Sequence, residues 1–450
     1  MRLLEPRRLD EIDLSRFGKD GKPFLIVPED DFDTFRDKDF DLDTLRDPIF
    51  SPEEEPSEEI LYRIGDIKAV LVKYMRRPEF KDDLDAEQND RFGKKGKPKN
   101  EGEWINFQDW FLLEFKLRSG ERIIDLFLET YQEDIHPDVY NLIEDWEKVL
   151  YGLFEVKGCL EHGYQMKSLI NEVEYRVYAT NVSEPLFDVQ RGDFIIGRIV
   201  PALGFHIFSG AHSPIHLDGN STVRDEMYHE AARLQMESPA QALMDNPEKL
   251  EKSREAVRKM YADFISYFGK DEVFGTGKEI RQYHQDFFHH QFFKMKDPDT
   301  KLSKAEEFTK KTGKKYKPAK LKLPRKFLRC KDVAMLCDPV ESLTFLEEYG
   351  FFLKIFADPD EYLGMPYATE VVMGYLESDS ISDVPFRRVA KRHPENFRKV
   401  IDYYAGKEGF VVNDLEDLIQ KFKPESYDKL PSIVVVMDQE IADARLTRQP

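Results

Sequence analysis

Between Trp146 and Asp218 the hydrophobic period of the chain changes. Four short β-branched or aromatic runs follow one another there, Tyr151–Val156, Val173–Tyr178, Phe194–Val200 and Phe205–Phe208. Gly158, Gly163, Asn171, Asn181, Gly192, Asp193, Pro201 and Gly204 separate them. Short apolar runs bounded by turn formers read as strands. Four to six strands within about seventy residues bury their apolar faces by closing into a small barrel or a strongly bent sheet. Modules of that kind usually bind something and rarely carry a covalent mechanism of their own.

The rest of the chain sets the context of that module. A length of 450 residues exceeds one ordinary core, so two or three domains are expected. Hydrophobic residues at 41% and aromatics at 13% suffice to bury them. A net charge of −20 opposes non-specific binding to nucleic acid or to an anionic membrane surface. Three cysteines without CxxC spacing (Cys159, Cys330 and Cys337) fit a reduced, cytoplasmic compartment. The charged start, Met1–Glu11, lacks the apolar run of a signal peptide, and no stretch approaches the ~18 apolar residues of a membrane span.

Periodicity divides the chain into five parts: a mixed α/β region over 1–145, the barrel-like module over 146–218, a helical region over 219–296, a basic linker over 297–331 and a helical region over 332–450. The fold class expected is α+β. In the first part Phe24–Val27 and Trp110–Leu117 read as strands, Arg76–Glu103 as a flexible loop, and Pro137–Val149 as a helix. Farther on, Ser238 to Gln241 reads as a capping box, and Asn246 and Pro247 open the clearest helix, which Gly269 closes. Glu279–Met295, Pro394–Ala405 and Asn413–Phe422 read as further helices, and Pro431–Met437 as a terminal strand.

Several residue patterns invite a chemical reading. His206, His212 and His216 lie close in sequence, and zinc accepts three histidines. Glu226 with His229, and Asp286 with His289, show the carboxylate-x-x-His spacing that places both groups on one helix face, as in carboxylate-bridged di-metal bundles. With ten His and 87 acidic residues, about two such pairs arise by chance, and three are present. Asp39–Asp43 starts like a calcium loop, but Thr44 and Phe50 stand where that loop needs Gly and Glu. The aromatic-dense Tyr283–Phe293 reads as a buried stripe, with a nucleic-acid stacking platform as the competing reading. No nucleophile elbow or phosphate-cradling Gly loop is present.

Charge is the most functional-looking pattern. Lys301–Lys331 holds thirteen Lys or Arg and two Glu, a net of +11, whereas Glu29–Glu59 has a net of −11. The basic stretch either contacts phosphates, lies against the acidic one, or is a solvated linker. Within it, Gly313-Lys-Lys-Tyr-Lys317 resembles the core of the SEC-C motif, where cysteines bind zinc around that core. Here the flanking positions hold Phe308 to Lys311 and Pro318-Ala319, so zinc does not carry over. The strand-rich middle at Leu186–Pro201 followed by helices is also similar to bacterial proteins carrying that motif. The resemblance implies a cytoplasmic bacterial protein and supplies no catalytic residue.

Three functions follow as expectations. The first is a non-catalytic binding or adaptor protein that contacts nucleic acid or a ribonucleoprotein through Lys310, Lys311, Lys314, Lys315 and Lys317 and through the β module, with no cofactor. The second is a metal-dependent enzyme using Glu226, His229, Asp286 and His289. The third is a structural protein acting on protein partners through helical surfaces.

Overall fold

The computed structural model describes residues 42–52, 55–93, 98–182, 186, 188–217, 219, 221–316, 323–378, 380–407, 412–423 and 435–442. These fall into two compact units. The described residues from 42 to 246 and from 437 to 442 belong to the barrel unit, and those between 247 and 436 to the inserted unit. The fold is α+β with a small closed barrel.

The barrel unit begins with helices α1 (Asp43–Arg46), α2 (Glu58–Met75), α3 (Lys81–Phe92), α4 (Glu101–Leu113), α5 (Ile123–Tyr131) and α6 (Pro137–Asp145). On α2, Leu61, Ile64, Ile67, Leu71 and Tyr74 recur at helical spacing and are buried, and Ser57 caps its start. The expected loop over Arg76–Glu103 is corrected by α3, a helix without one buried residue. Its charged composition reflects an exposed helix that touches the core through half-buried Leu84 and Phe92, and not lack of structure. The strand read over Trp110–Leu117 is also corrected: Trp110–Leu113 is the end of α4, and Glu114–Leu117 follows it with a single bridge from Lys116 to Arg122. The apolar residues of this run satisfy two periods at once, and Phe107 and Phe111, one helical turn apart and fully buried, decide for the helix. Asn100 caps that helix, accepting the Glu103 N–H at 2.9 Å.

The strands are β1 (Leu150–Leu160), β2 (Gly163–Ser168), β3 (Glu174–Tyr178), β4 (Phe194–Ala202) and β5 (Phe205–Ile215). They close in the order β1-β2-β3-β5-β4. Every pairing is antiparallel except β3 with β5, which is parallel and opposes Val177 to His206 and Tyr178 to Ile207. All four runs read from the sequence are strands here. The fifth, β2, went unread. It nevertheless alternates, with Tyr164, Met166 and Ser168 inward and Gln165 and Lys167 outward. Gly163 is required where β2 meets β3, since a Cβ there would lie 2.1 Å from the Val177 carbonyl oxygen. α4 packs on β5, α6 on β4 and α7 (Ser221–Glu237) on β1. This helical cover explains why β1 and β4 are buried on both faces. α8 (Pro239–Leu243) follows; Ser238 precedes it without a side-chain cap, so the expected capping box is absent.

The chain leaves the barrel unit after Asn246 and returns at Met437, and the β2–β3 turn holds both crossings. Buried Asn171 donates to the Met244 carbonyl at 2.8 Å and to the Tyr175 hydroxyl at 2.5 Å. Asn246 donates back to the Asn171 carbonyl at 2.7 Å. Glu172, with φ of 65°, accepts the Asp438 N–H at 2.9 Å, and Lys167 pairs with Asp438 at 2.7 Å. Met437 and Ile441 pack on the barrel's apolar cluster. The expected strand over Pro431–Met437 begins outside the described residues, and 435–438 carry no strand. Phe24–Val27, and residues 29–41, 53 and 54 of the acidic Glu29–Glu59 stretch, Asp39–Asp41 among them, also lie outside the described residues.

The inserted unit contains α9 (Pro247–Phe268), β6 (Glu272–Gly275), α10 (Gly277–Phe293), α11 (Lys304–Thr312), α12 (Arg325–Arg329), β7 (Val333–Asp338), β8 (Ser342–Glu347), α13 (Tyr349–Ala357), α14 (Pro359–Tyr362), α15 (Pro366–Glu377), α16 (Val384–Arg392), α17 (Pro394–Lys407) and α18 (Leu415–Phe422). As read from the sequence, α9 closes at Gly269, whose φ is 72°. The cap of α18 is Asp414 and not Asn413, with the Asp417 N–H on its carboxylate at 2.9 Å. The region after residue 331 is not wholly helical, because β6, β7 and β8 form an antiparallel sheet in that order. Val333 to Cys337 are all buried, so this central strand shows no alternation by which to recognise it.

Two measurements check these contacts. Asn171→Ala removes the buried link between the β2–β3 turn and the outgoing crossing. It should lower stability to urea by about 2 kcal/mol and open the chain near residues 244–247 to protease. Burial, with Asp383 and Asp338 nearby, pushes the Glu341 carboxyl up to about 7. Its folded value exceeds the ordinary 4.5, so the stability linked to its proton is intact in acid and lost as pH rises through 7. Glu341→Gln should therefore gain on the order of 1 kcal/mol at pH 8 relative to the parent, with the gain vanishing near pH 4, read by urea unfolding at both pH values.

Candidate polyanion-binding segment

The basic stretch is not a plain connection. Thr276 and Glu279 form a capping box at the start of α10. The face of α10 bearing Gly277, Ile280, Phe287 and Gln291 is buried, whereas Tyr283, His284, Phe288, Phe292 and Phe293 are only half-buried. The expected single buried stripe is thus narrower than its aromatic content suggests. A turn follows in which the Asp297 carboxylate accepts the N–H groups of Asp299 and Thr300, each at 2.9 Å. Ser303 and Glu306 then cap α11 reciprocally, at 3.2 and 2.7 Å. Gly313, with φ of 69°, ends α11 in the left-handed conformation that glycine tolerates best. Tyr316 lies 5.1 Å from Phe292 in a near-parallel stack and sets its ring against the edges of Phe293 and Phe308. Aromatic packing therefore holds Tyr316 against Phe292 on α10 and Phe308 on α11. Farther on, the Phe327 side chain is buried, and the Phe327 carbonyl sits so near Gly277 that a Cβ there would meet it at 2.0 Å. α11 and α12 both pack against α10.

Lys310, Lys311, Lys314 and Lys315 are exposed, and Lys317 lies outside the described residues. Lys310, Lys315, Arg325, Lys326, Arg329 and Lys331 make no ion pair with any described residue. Arginines elsewhere are held by carboxylates: Arg122 by Asp125 and Glu147, Arg233 by Glu230 and Glu237, Arg388 by Asp271 and Glu272. Three acidic groups in or beside the basic stretch are committed to local turns. Glu306 caps α11, Glu307 accepts the Thr300 hydroxyl at 2.6 Å, and Asp297 holds its own turn. Backbone N–H donors draw the Glu306 and Asp297 carboxyls below their ordinary range, so both stay charged and engaged. Sequence reasoning found the lysines but not Arg325, Lys326, Arg329 and Lys331 as members of the set, nor Tyr316 as the anchor. An aromatic residue inside a lysine run was the available signal.

The histidines are dispersed. His206 lies against Tyr175 at 4.5 Å, His212 stacks on Phe208 at 3.8 Å, and His216 meets the Asp193 carboxylate at 3.1 Å. Burial pushes His206 and His212 down to about 4, so both rings are neutral packing groups at neutral pH. Glu226 and His229 sit on α7, in the barrel unit, and Asp286 and His289 on α10, in the inserted unit. Asp286 accepts from Gln282 at 2.9 Å, and His289 stacks on Phe293 at 4.6 Å. Among the described residues no group of three or more His, Cys, Asp or Glu could hold a metal ion.

A polar cluster that the sequence did not reveal joins α2 and α4 to β5. Lys68 pairs with Asp109 at 2.5 Å and contacts the fully buried Ser209 hydroxyl at 3.1 Å, and Ser209 donates to Asp109 at 2.5 Å. Arg198 pairs with Glu114 at 2.8 Å and lies over the Tyr151 ring. With Ser209 shut away from solvent, this cluster holds helices to the barrel. No family model, curated protein or solved structure matches the chain.

Tyr316→Ala should remove the anchor of the lysine loop at a stability cost of about 1–2 kcal/mol. Amide exchange over residues 313–316 should rise while exchange in the barrel stays unchanged.

Proposed function

We propose that this protein is a non-catalytic cytoplasmic binding or adaptor protein that grips nucleic acid, alone or within a ribonucleoprotein, through residues 301–331. One observation carries the reading: Lys310, Lys315, Arg325, Lys326, Arg329 and Lys331 are exposed and make no ion pair among the described residues, while Glu306 and Asp297 are occupied by a helix cap and a turn. An unpaired exposed cation keeps its full attraction for phosphate and loses no internal pair on binding. On a chain of −20 the remaining surface repels a polyanion, which confines contact to this segment and orients the complex.

The barrel contributes less to this reading. Small five-stranded barrels that bind oligonucleotides use the outer face of β2 and β3 and the β1–β2 and β4–β5 loops. Here those loops are Glu161-His162 and Leu203-Gly204, and outward Lys167 already pairs with Asp438. We read the barrel as the core of its unit. No helix of the described residues is long and apolar enough to cross a membrane, in keeping with a partner in solution.

Replacing Lys310, Lys311, Lys314, Lys315 and Lys317 together by Glu should abolish salt-sensitive retention of RNA and DNA, with thermal unfolding unchanged. The log–log salt slope of the parent should be steeper by about one for each phosphate contact removed. Equal binding by parent and variant removes the proposal.

A further inference from the structure

The aromatic rings beside the lysines decide which part of a nucleic acid this segment can recognise. A stacking platform needs ring faces open to bases. Here the rings are used on one another. His284, Phe288 and Phe292 follow at one-turn spacing on α10 as a near-parallel series, with centroids 6.2 and 4.3 Å apart, and Tyr316 continues it at 5.1 Å from Phe292. The Lys304 ammonium also sits over Phe292, 5.2 Å from the centroid. His289 covers Phe293, and Phe308 closes on Tyr316 edge-on. A base could enter this series only by displacing Tyr316, which would release the loop that carries Lys314 and Lys315.

The cations, by contrast, are exposed and come from separate pieces: Lys310 at the end of α11, Lys315 in the loop, and Arg325, Lys326 and Arg329 on α12 with Lys331 beyond it. Both helices pack on α10, which supports the cations that they carry. Charge presented on a rigid support beside closed aromatic rings suits a repeating phosphate backbone and offers nothing to read a base.

We infer, building on the function proposed above, that the segment recognises the phosphodiester backbone itself, without regard to base sequence and on duplex as readily as on single strands. The aromatic series acts as the support for the cations and makes no contact with bases.

Fluorescence anisotropy with the full chain tests this, using labelled oligo-dA and oligo-dT of about 20 nucleotides and a mixed-sequence duplex of the same length across a salt series. The two single strands should bind within about threefold of each other, and the duplex at least as tightly as either. Phe288→Leu, which keeps the apolar volume and removes one ring, should leave that ranking unchanged. A tenfold or greater preference for single strands or for one base, lost in Phe288→Leu, is the behaviour of a stacking platform and overturns the inference while leaving polyanion binding intact. Absence of binding to every probe at low salt overturns both the inference and the function on which it rests.

Discussion

Closure of the barrel through its one parallel seam is the constraint on which most of the barrel unit depends. Four antiparallel pairings alone would leave β3 and β5 as open edges, a risk for pairing with other chains. The seam Val177–His206 and Tyr178–Ile207 joins them. Once closed, the barrel offers a rigid outer surface on which α4, α6 and α7 bury their apolar faces, and strands covered in this way are apolar on both sides. The buried Lys68–Asp109–Ser209 cluster shows the cost of seating helices on strands: polar groups trapped at the contact must satisfy one another, and they do.

In the inserted unit the decisive competition is for carboxylates. A Glu at the third position of a helix can complete the backbone capping pattern or neutralise a nearby lysine. At Glu306 and Glu279 the first use prevails, because two N–H groups of a helix start lack any other partner. Lys310, Lys315, Arg325, Lys326, Arg329 and Lys331 make no ion pair among the described residues and are exposed to an outside anion. The same competition has the other result along α7, where Glu230 and Glu237 lie far from the helix start and pair with Arg233.

Legibility in the sequence followed physical distinctness. The barrel runs stood out because strands between turns change the hydrophobic period, and α9 stood out through its amphipathic face and its glycine stop. The β7 strand did not, because burial on both faces erases alternation. The end of α4 was misread because Phe111, Leu113, Phe115 and Leu117 alternate as in a strand, whereas Phe107 and Phe111, one turn apart, belong to the helix. At the candidate site composition disclosed the charge but not its freedom from partners, since pairing depends on which hydrogen bonds the few local acids make. The stacking of Phe292 on Tyr316 joins residues 24 positions apart and leaves no local trace.

The holding of both chain crossings at Asn171 and Glu172 has a consequence for how the molecule assembles. To the barrel unit, the 190 residues from Pro247 to Val436 are one closed excursion that starts and ends at the same turn. Ring-closure entropy grows only with the logarithm of length, about 0.6 kcal/mol for each doubling, so an excursion this long weighs little more than one of half its size. Such a module can lengthen, shorten or be exchanged for another while the host barrel keeps its register, provided the two stems still meet.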